Sequence, residues 1–141
     1  MGQETYLVDS NIFLEMLLKQ QRAEECRFFF RLLTQRGHRI ALTAFALYSI
    51  ELHLMSHEKS ALVKPFLADC ERGDFFLTGT GFADEGEILD IANIQQLDID
   101  DAHQYWAAKK LGAILVSFER DFDRTDITRL EPSEVLQGLS R

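Results

Sequence analysis

The most informative segment of the chain is AILVSF at residues 113–118, followed directly by ERDFD at residues 119–123. The first six residues form an almost continuous apolar run, which is typical of a strand buried on both faces of a parallel sheet. Three acidic residues follow within the next five. Because sites in parallel α/β sheets form beyond the carboxyl ends of the strands, this segment predicts a central strand and a site next to it.

Outward from this segment, β-like runs alternate with helical ones. The predicted strands are 5–8, 39–43, 75–78, 113–118 and 127–130, and the predicted helices are 12–19, 23–36, 44–57, 59–72, 83–96 and 100–111. Parallel strands need crossover connections, which are usually helical. We therefore expect a single domain over residues 1–141, a Rossmann-like three-layer α/β/α sandwich with a central, mainly parallel sheet.

The composition is that of an ordinary globular domain, with 141 residues, 46% of them hydrophobic and 27% charged. The 23 acidic and 15 basic residues give a net charge of −8, which by itself disfavours a broad nucleic-acid-binding surface. Cys26 and Cys70 match no metal-ligand spacing or disulfide framework. With no signal peptide and no long apolar run, we expect a cytoplasmic protein without a membrane partner.

Asp9 follows the first predicted strand, and Asn11 comes two residues later. One interpretation is a helix cap, in which Asp9 or Ser10 accepts hydrogen bonds from backbone N–H groups of the first turn. The other is a metal ligand, because metal-binding α/β enzymes place carboxylates at strand ends. The sequence leaves both interpretations open at this position.

Glu51 lies within a strongly helical segment, where its neighbours at helical spacing are Leu47, Tyr48, Leu54 and Met55. This spacing predicts that Glu51 faces the sheet. A buried carboxylate needs a cation, a hydrogen-bond network or a proton, although an arginine partner or an edge position would also satisfy it. The more polar stripe opposite consists of Ala46, Ser49, His53, Ser56 and His57, of which we interpret the histidines as surface residues.

Asp98, Asp100 and Asp101 mark the start of a predicted helix. Acidic residues are favourable in a first turn, and Asp98 is a natural N-cap. Asp100 and Asp101 are adjacent and point about 100° apart, so we expect only one of them to project toward a site.

Glu119, Asp121 and Asp123 follow the apolar strand at 113–118. Three acids so close together need neutralisation, which Arg120 and Arg124 supply in part. A divalent cation explains the cluster more simply, because hard cations prefer several oxygen ligands.

Five carboxylates from four separate segments thus predict one pocket for Mg²⁺ or Mn²⁺. They are Asp9, Glu51, Asp101, Glu119 and Asp121.

Four motifs in order resemble the PIN-domain family of ribonucleases, and most closely the VapC-type toxins of toxin–antitoxin systems. They are YLVDSN at residues 6–11, Thr43 leading into Glu51, Asp101-Ala102, and VSFERDF at residues 116–122. The resemblance extends from about Thr5 to Leu130. It implies a PIN-like fold and metal-dependent hydrolysis of RNA phosphodiester bonds.

The resemblance also assigns roles to individual residues. It implies a catalytic set of Asp9, Glu51, Asp101, Glu119 and Asp121, metal ligation by all of these except Glu51, and accessory polar roles for Asn11 and Ser117. The family usually has Asp at the position of Glu119, and Glu is one methylene longer. The alternative is therefore a catalytically weakened PIN domain that acts as an RNA-binding or protein-interaction module. A haloacid-dehalogenase-type phosphatase is disfavoured, because it has a second Asp where this chain has Asn11.

The expected partners are an RNA substrate, an antitoxin protein and a second copy of the chain. Phe28, Phe29 and Phe30 cannot all face one core, so at least one is expected on a surface for an antitoxin or a dimer. Two divalent cations in the pocket would bring the net charge from −8 to about −4 and reverse the local field where phosphate approaches. The charge therefore does not exclude a nucleic acid.

Overall fold

A five-stranded parallel sheet between two helical layers forms the centre of the computed structural model, which describes residues 3–139. The strands are β1 (Thr5–Val8), β2 (Arg39–Thr43), β3 (Phe76–Thr78), β4 (Ile114–Val116) and β5 (Arg129–Leu130). The helices are α1 (Ser10–Leu17), α2 (Ala23–Gln35), α3 (Ala44–Ser56), α4 (Val63–Arg72), α5 (Phe82–Gln95), α6 (Ile99–Leu111) and α7 (Pro132–Leu139). Two 3₁₀ turns cover Ser60–Leu62 and Arg120–Arg124.

The strand order is β3-β2-β1-β4-β5, and each neighbouring pair is parallel. β1 therefore lies between β2 and β4, where the order reverses. Crevices in doubly wound sheets open at this point, outside the carboxyl ends of the strands. The topology confirms the expected α/β/α sandwich and places the ends of β1 and β4 side by side.

Successive residues of β1 enter opposite cores, as the two-residue period of a strand requires. Tyr6 and Val8 pack in a core with residues of α1, α2, α3, α4 and α7. Leu7 packs with α5 and α6 on the other face. The sheet is therefore covered on both faces, which explains why its central strands are apolar throughout.

The carboxyl-terminal helix α7 was not predicted from the sequence. Pro132 is its first residue, a position that suits proline because the missing N–H would have no helical partner. The backbone N–H of Glu131 donates to the Glu134 side chain at 3.0 Å. The Ser133 N–H donates to Glu25 at 3.1 Å and links α7 to α2. Pro132 and Glu134 are therefore helix-start signals that the sequence already contained.

The predicted sheet-facing stripe of α3 is wrong in part. Tyr48 is 59% exposed and Met55 is 62% exposed, whereas Ala46, assigned to the polar stripe, is buried. The buried residues of α3 are Ala46, Ile50 and Leu54, spaced four apart. The helix is apolar on nearly all sides, so its hydrophobic pattern does not define which face is buried.

Two smaller expectations agree with the structure. Phe28 is half exposed while Phe29 and Phe30 are buried, as three consecutive helical positions require. His53 and His57 are exposed and stack on each other. Within residues 3–139, no helix combines the length and the apolar character that crossing a membrane requires.

Candidate functional site

Asp9 lies between β1 and α1, at the carboxyl edge of the sheet. Its extended backbone makes it the N-cap of α1, and its Oδ1 accepts a hydrogen bond from the Ser10 N–H at 2.8 Å. Its Oδ2 accepts one from the Ser117 hydroxyl, just beyond β4, at 2.7 Å. Asp9 is nevertheless only 7% exposed. The cap is therefore present, but it uses only part of the carboxylate.

The hydroxyl of Ser117 can donate only to Asp9. Its oxygen is already approached by two N–H donors, the Glu119 backbone at 2.9 Å and the Asn11 side chain at 3.3 Å. A hydroxyl oxygen has two lone pairs, so these donors leave its single proton for Asp9. Asn11 also accepts from the Phe118 N–H at 3.4 Å. The two predicted accessory residues therefore join β1, β4 and the acidic turn into one network.

Gln104 contacts Asp9 although the sequence did not predict it as a site residue. This residue of α6 is 4% exposed, and its amide nitrogen donates to Asp9 Oδ1 at 2.9 Å. It lies one helical turn after Asp101, at a spacing that places both residues on the same side of α6. That spacing was the one available signal, but a lone glutamine in a helix is unremarkable without the fold.

Three of the predicted site residues form a compact group. Carboxylate oxygens of Asp101, Glu119 and Asp121 all lie within 4.8 Å of one another. Asp101 comes from the first turn of α6, and the other two come from the turn after β4. Glu119 Oε1 also accepts a hydrogen bond from the Asp121 N–H at 3.0 Å, so the longer side chain caps its own 3₁₀ turn.

Asp123, the third acid after β4, has a different role. Arg129 on β5 holds it with two nearly parallel hydrogen bonds, Nε to Oδ1 at 2.9 Å and Nη2 to Oδ2 at 3.1 Å. The same guanidinium donates to the Ser117 backbone carbonyl at 2.9 Å and to Glu131 at 3.2 Å. Arg129 therefore anchors the acidic turn to the sheet and neutralises Asp123, but it does not pair with Glu119 or Asp121.

The other acids named from the sequence are Glu51, Asp98 and Asp100, and each has its own surroundings in the structure. Glu51 is half-buried on α3 beside Ile50 and Leu54, and it is not a member of the Asp101 group. Asp98 and Asp100 are exposed while Asp101 is buried. Carboxylate oxygens of these three residues nevertheless lie within 4.8 Å of one another, so Asp100 does not diverge from Asp101 as the sequence predicted. Asp98 occupies the N-cap position of α6, without the side-chain hydrogen bond that its type predicts.

Burial and mutual repulsion raise the pKa values of the two innermost acids. Burial raises the pKa of Asp9, although its hydrogen bonds to Ser117 and Gln104 oppose the shift. Burial, together with the smaller effects of the charges on Asp100, Asp9 and Glu119, raises the pKa of Asp101 to about 7. Ionising this cluster is therefore costly unless a positive charge joins it.

The residues present suit a divalent cation. Three acids converge, and within residues 3–139 no lysine or arginine forms a salt bridge with Asp101 or Glu119. Arg124 approaches only the edge of the group, with its Nη2 4.0 Å from Asp121 Oδ1. An all-oxygen ligand set is the kind that Mg²⁺ and Mn²⁺ prefer.

Together, the parallel sheet and the acids at its carboxyl edge define a doubly wound α/β protein with a carboxylate site at the strand-order reversal. The sequence pattern of the PIN domain family matches residues 6–128. The chain belongs to the PIN domain family. No curated protein sequence gives a match.

Several solved structures share the fold at low sequence identity. PAE2754 from Pyrobaculum aerophilum is 19% identical with a TM-score of 0.68, covering 97% of this chain and 96% of its own. VapBC2 from Rickettsia felis, bound to a DNA fragment from its promoter, is 17% identical with a TM-score of 0.69, covering 90% and 98%. VapC20 from Mycobacterium tuberculosis, a toxin that cleaves the sarcin–ricin loop, is 12% identical with a TM-score of 0.69, covering 87% and 96%.

Proposed function

We propose that this chain is a metal-dependent endoribonuclease that hydrolyses RNA phosphodiester bonds, and that it is the toxin of a type II toxin–antitoxin pair. The observation that carries the proposal is the convergence of Asp101, Glu119 and Asp121 within 4.8 Å at the edge of the sheet, beside the buried Asp9. Membership of the PIN domain family and the likeness to VapC20 and VapBC2 support the same activity.

In this proposal the carboxylates hold Mg²⁺ or Mn²⁺, and none acts as the sole general base. Asp101, Glu119 and Asp121 are the ligands that the geometry favours. Asp9 is not one of this group, and its place as a fourth ligand through Oδ2 is part of the proposal. The chemistry supplied by the bound cation is Lewis acidity, which activates water and offsets the charge of the phosphate. Ser117 and Asn11 hold Asp9 and the acidic turn in place. Glu51, on α3, remains a predicted member of the catalytic set.

Cleavage of RNA by the purified chain should depend on divalent metal. We expect Mn²⁺ or Mg²⁺ to support cleavage and excess EDTA to abolish it, because in the proposed mechanism the cation is required to activate the water and no carboxylate acts alone as the base. The measurement is the rate of appearance of cleaved fragments from a labelled single-stranded RNA. Re-addition of Mn²⁺ after EDTA is the control for damage to the protein. Equal cleavage in EDTA would contradict the mechanism.

The assay also separates the proposed enzyme from the catalytically weakened module. The specific observation behind that alternative is Glu119, whose longer side chain folds back on the Asp121 N–H at 3.0 Å. Tight binding of Mn²⁺ or RNA without cleavage would favour the module.

The proposed protein partners are an antitoxin and a second copy of the chain. The half-exposed Phe28 on α2 supports a partner surface. The exposed apolar residues of α3, which are Tyr48, Leu52 and Met55, support a homodimer.

We expect light scattering of the purified chain to give twice the monomer mass, and we expect the Leu52→Glu variant to have the mass of a monomer. A monomeric wild-type chain would contradict the homodimer.

A further inference from the structure

Gln104 is buried in a place where a glutamine is unfavourable for packing. It is 4% exposed, and its helix neighbours Ala107, Ala108 and Trp106 are buried hydrophobic residues. Its side-chain carbonyl Oε1 is buried without a hydrogen-bond partner among the residues that the structure describes. A buried polar atom without a partner costs free energy. An apolar side chain at this position would avoid that cost.

The contact with Asp9, which lies 95 residues away in the sequence, explains why a glutamine occupies this buried position. Its amide nitrogen donates to Asp9 Oδ1 at 2.9 Å. The opposite amide orientation would place Oε1 against the carboxylate, and two acceptors repel each other. Because the side-chain N–H group of Gln104 points toward Asp9, its carbonyl Oε1 has no hydrogen-bond partner among the described residues.

This contact determines which atom of Asp9 remains available. A carboxylate offers about four lone-pair positions, two on each oxygen. The Ser10 N–H and Gln104 fill both positions on Oδ1, and the Ser117 hydroxyl fills one on Oδ2. One position remains, and it is on Oδ2. Without Gln104, Oδ1 would also have an open position and the carboxylate would be less restrained in rotation.

We propose that Gln104 is a positioning residue for the metal site, which holds Asp9 so that Oδ2 alone is presented to a divalent cation. The inference rests on the proposed function, because it gives Gln104 a role only if Asp9 takes part in metal binding. Residues that orient metal ligands through hydrogen bonds typically change metal affinity or activity by about 10- to 100-fold when they are replaced.

The test replaces Gln104 by residues of similar size that cannot donate, in the variants Gln104→Met and Gln104→Leu. We expect Mn²⁺ affinity, measured by titration calorimetry, to fall by about 10- to 100-fold. We also expect the thermal unfolding temperature in EDTA to stay the same or rise, because the buried carbonyl is removed. RNA cleavage by the variants should recover toward the wild-type rate as Mn²⁺ is raised, because the defect lies in metal affinity.

Tyr105→Phe is the matched control on the same helix. Tyr105 is also buried, but its hydroxyl donates to Asp126 at 2.6 Å instead of to Asp9. We expect this variant to bind Mn²⁺ with wild-type affinity, although it also loses a hydrogen-bond donor from α6.

Two results would overturn the role of Gln104. One is wild-type Mn²⁺ affinity in both Gln104 variants. The other is a lower unfolding temperature of both variants in EDTA, which would assign the residue to stability. Failure of the wild-type chain itself to bind Mn²⁺ would be a different result, since it would refute the proposed function and the role of Gln104 with it.

Discussion

Replacing Asp9 by Asn is expected to lower the rate of metal-dependent RNA cleavage by about 100-fold or more, equivalent to about 2.7 kcal/mol of activation free energy. Asp9 accepts hydrogen bonds from Ser10, Gln104 and Ser117, and it keeps one free position on Oδ2. Asn retains the size of the side chain but removes its negative charge. It also places an N–H group where Ser117 donates, so the network has two facing donors.

The measurement is the initial rate of cleavage at several Mn²⁺ concentrations, with circular dichroism to confirm the fold. Asp90→Asn is the matched control, because it makes the same chemical change at an exposed position on α5. We expect the control to cleave at the wild-type rate. Cleavage by Asp9→Asn within a factor of about three of the wild type would contradict the assignment of Asp9 to the site.

Replacing Asp101 by Asn is expected to stabilise the metal-free protein above pH 7. Burial and the neighbouring acids raise the pKa of Asp101 to about 7. A carboxyl whose pKa is raised on folding destabilises the folded state as the pH rises from the unfolded-state pKa of 3.8 to the folded-state pKa of about 7, and the full cost remains above that pH. Because one pKa unit is worth about 1.4 kcal/mol, a shift from 3.8 to about 7 means that the variant should gain on the order of 4 kcal/mol at pH 8.

The free energy of unfolding in EDTA, measured by urea denaturation at pH 4 and at pH 8, checks this expectation. The difference between Asp101→Asn and the wild type should be small at pH 4 and large at pH 8. With Mn²⁺ at pH 8 the order should reverse, because a ligand that binds only the folded state stabilises the wild type. A variant that is less stable than the wild type at pH 8 in EDTA would contradict the raised pKa of Asp101.

These two predictions have a common physical origin. The fold holds acids together in a place where their charges are unfavourable, and this costs stability in the absence of a cation. Gln104 adds a buried carbonyl without a partner at the same location. Such costs concentrated at one edge of a sheet are typical of a site that is organised for a ligand and not for stability.

The layered fold and much of the site could be predicted from local sequence. The apolar run at 113–118 followed by acids predicts a central strand and a site, and β4 occupies Ile114–Val116 with Glu119 and Asp121 just beyond it. The alternation of strands and helices predicts the parallel sheet. These features are readable because side-chain period and turn chemistry are local properties of the chain.

The buried face of α3 was predicted wrongly in part, and α7 was not predicted although the sequence contains signals for its start. Helix α3 carries apolar side chains on nearly every side, so the face that turns inward depends on which elements pack against the helix. Helix α7 is short, and it is held by contacts with α2 that span more than 100 residues, such as the Ser133 N–H to Glu25. Local propensity is weak compared with tertiary packing in both cases.

By itself, the sequence determined the fold class, the family resemblance and which acids to consider, because these depend on residue types and their order along the chain. Only the tertiary structure decided what each acid does. It grouped Asp101 with Glu119 and Asp121, paired Asp123 with Arg129, and brought Gln104 to Asp9. The physical reason is that hydrogen bonds and charge repulsion act over a few ångströms, and strand order and helix packing bring distant residues within that range.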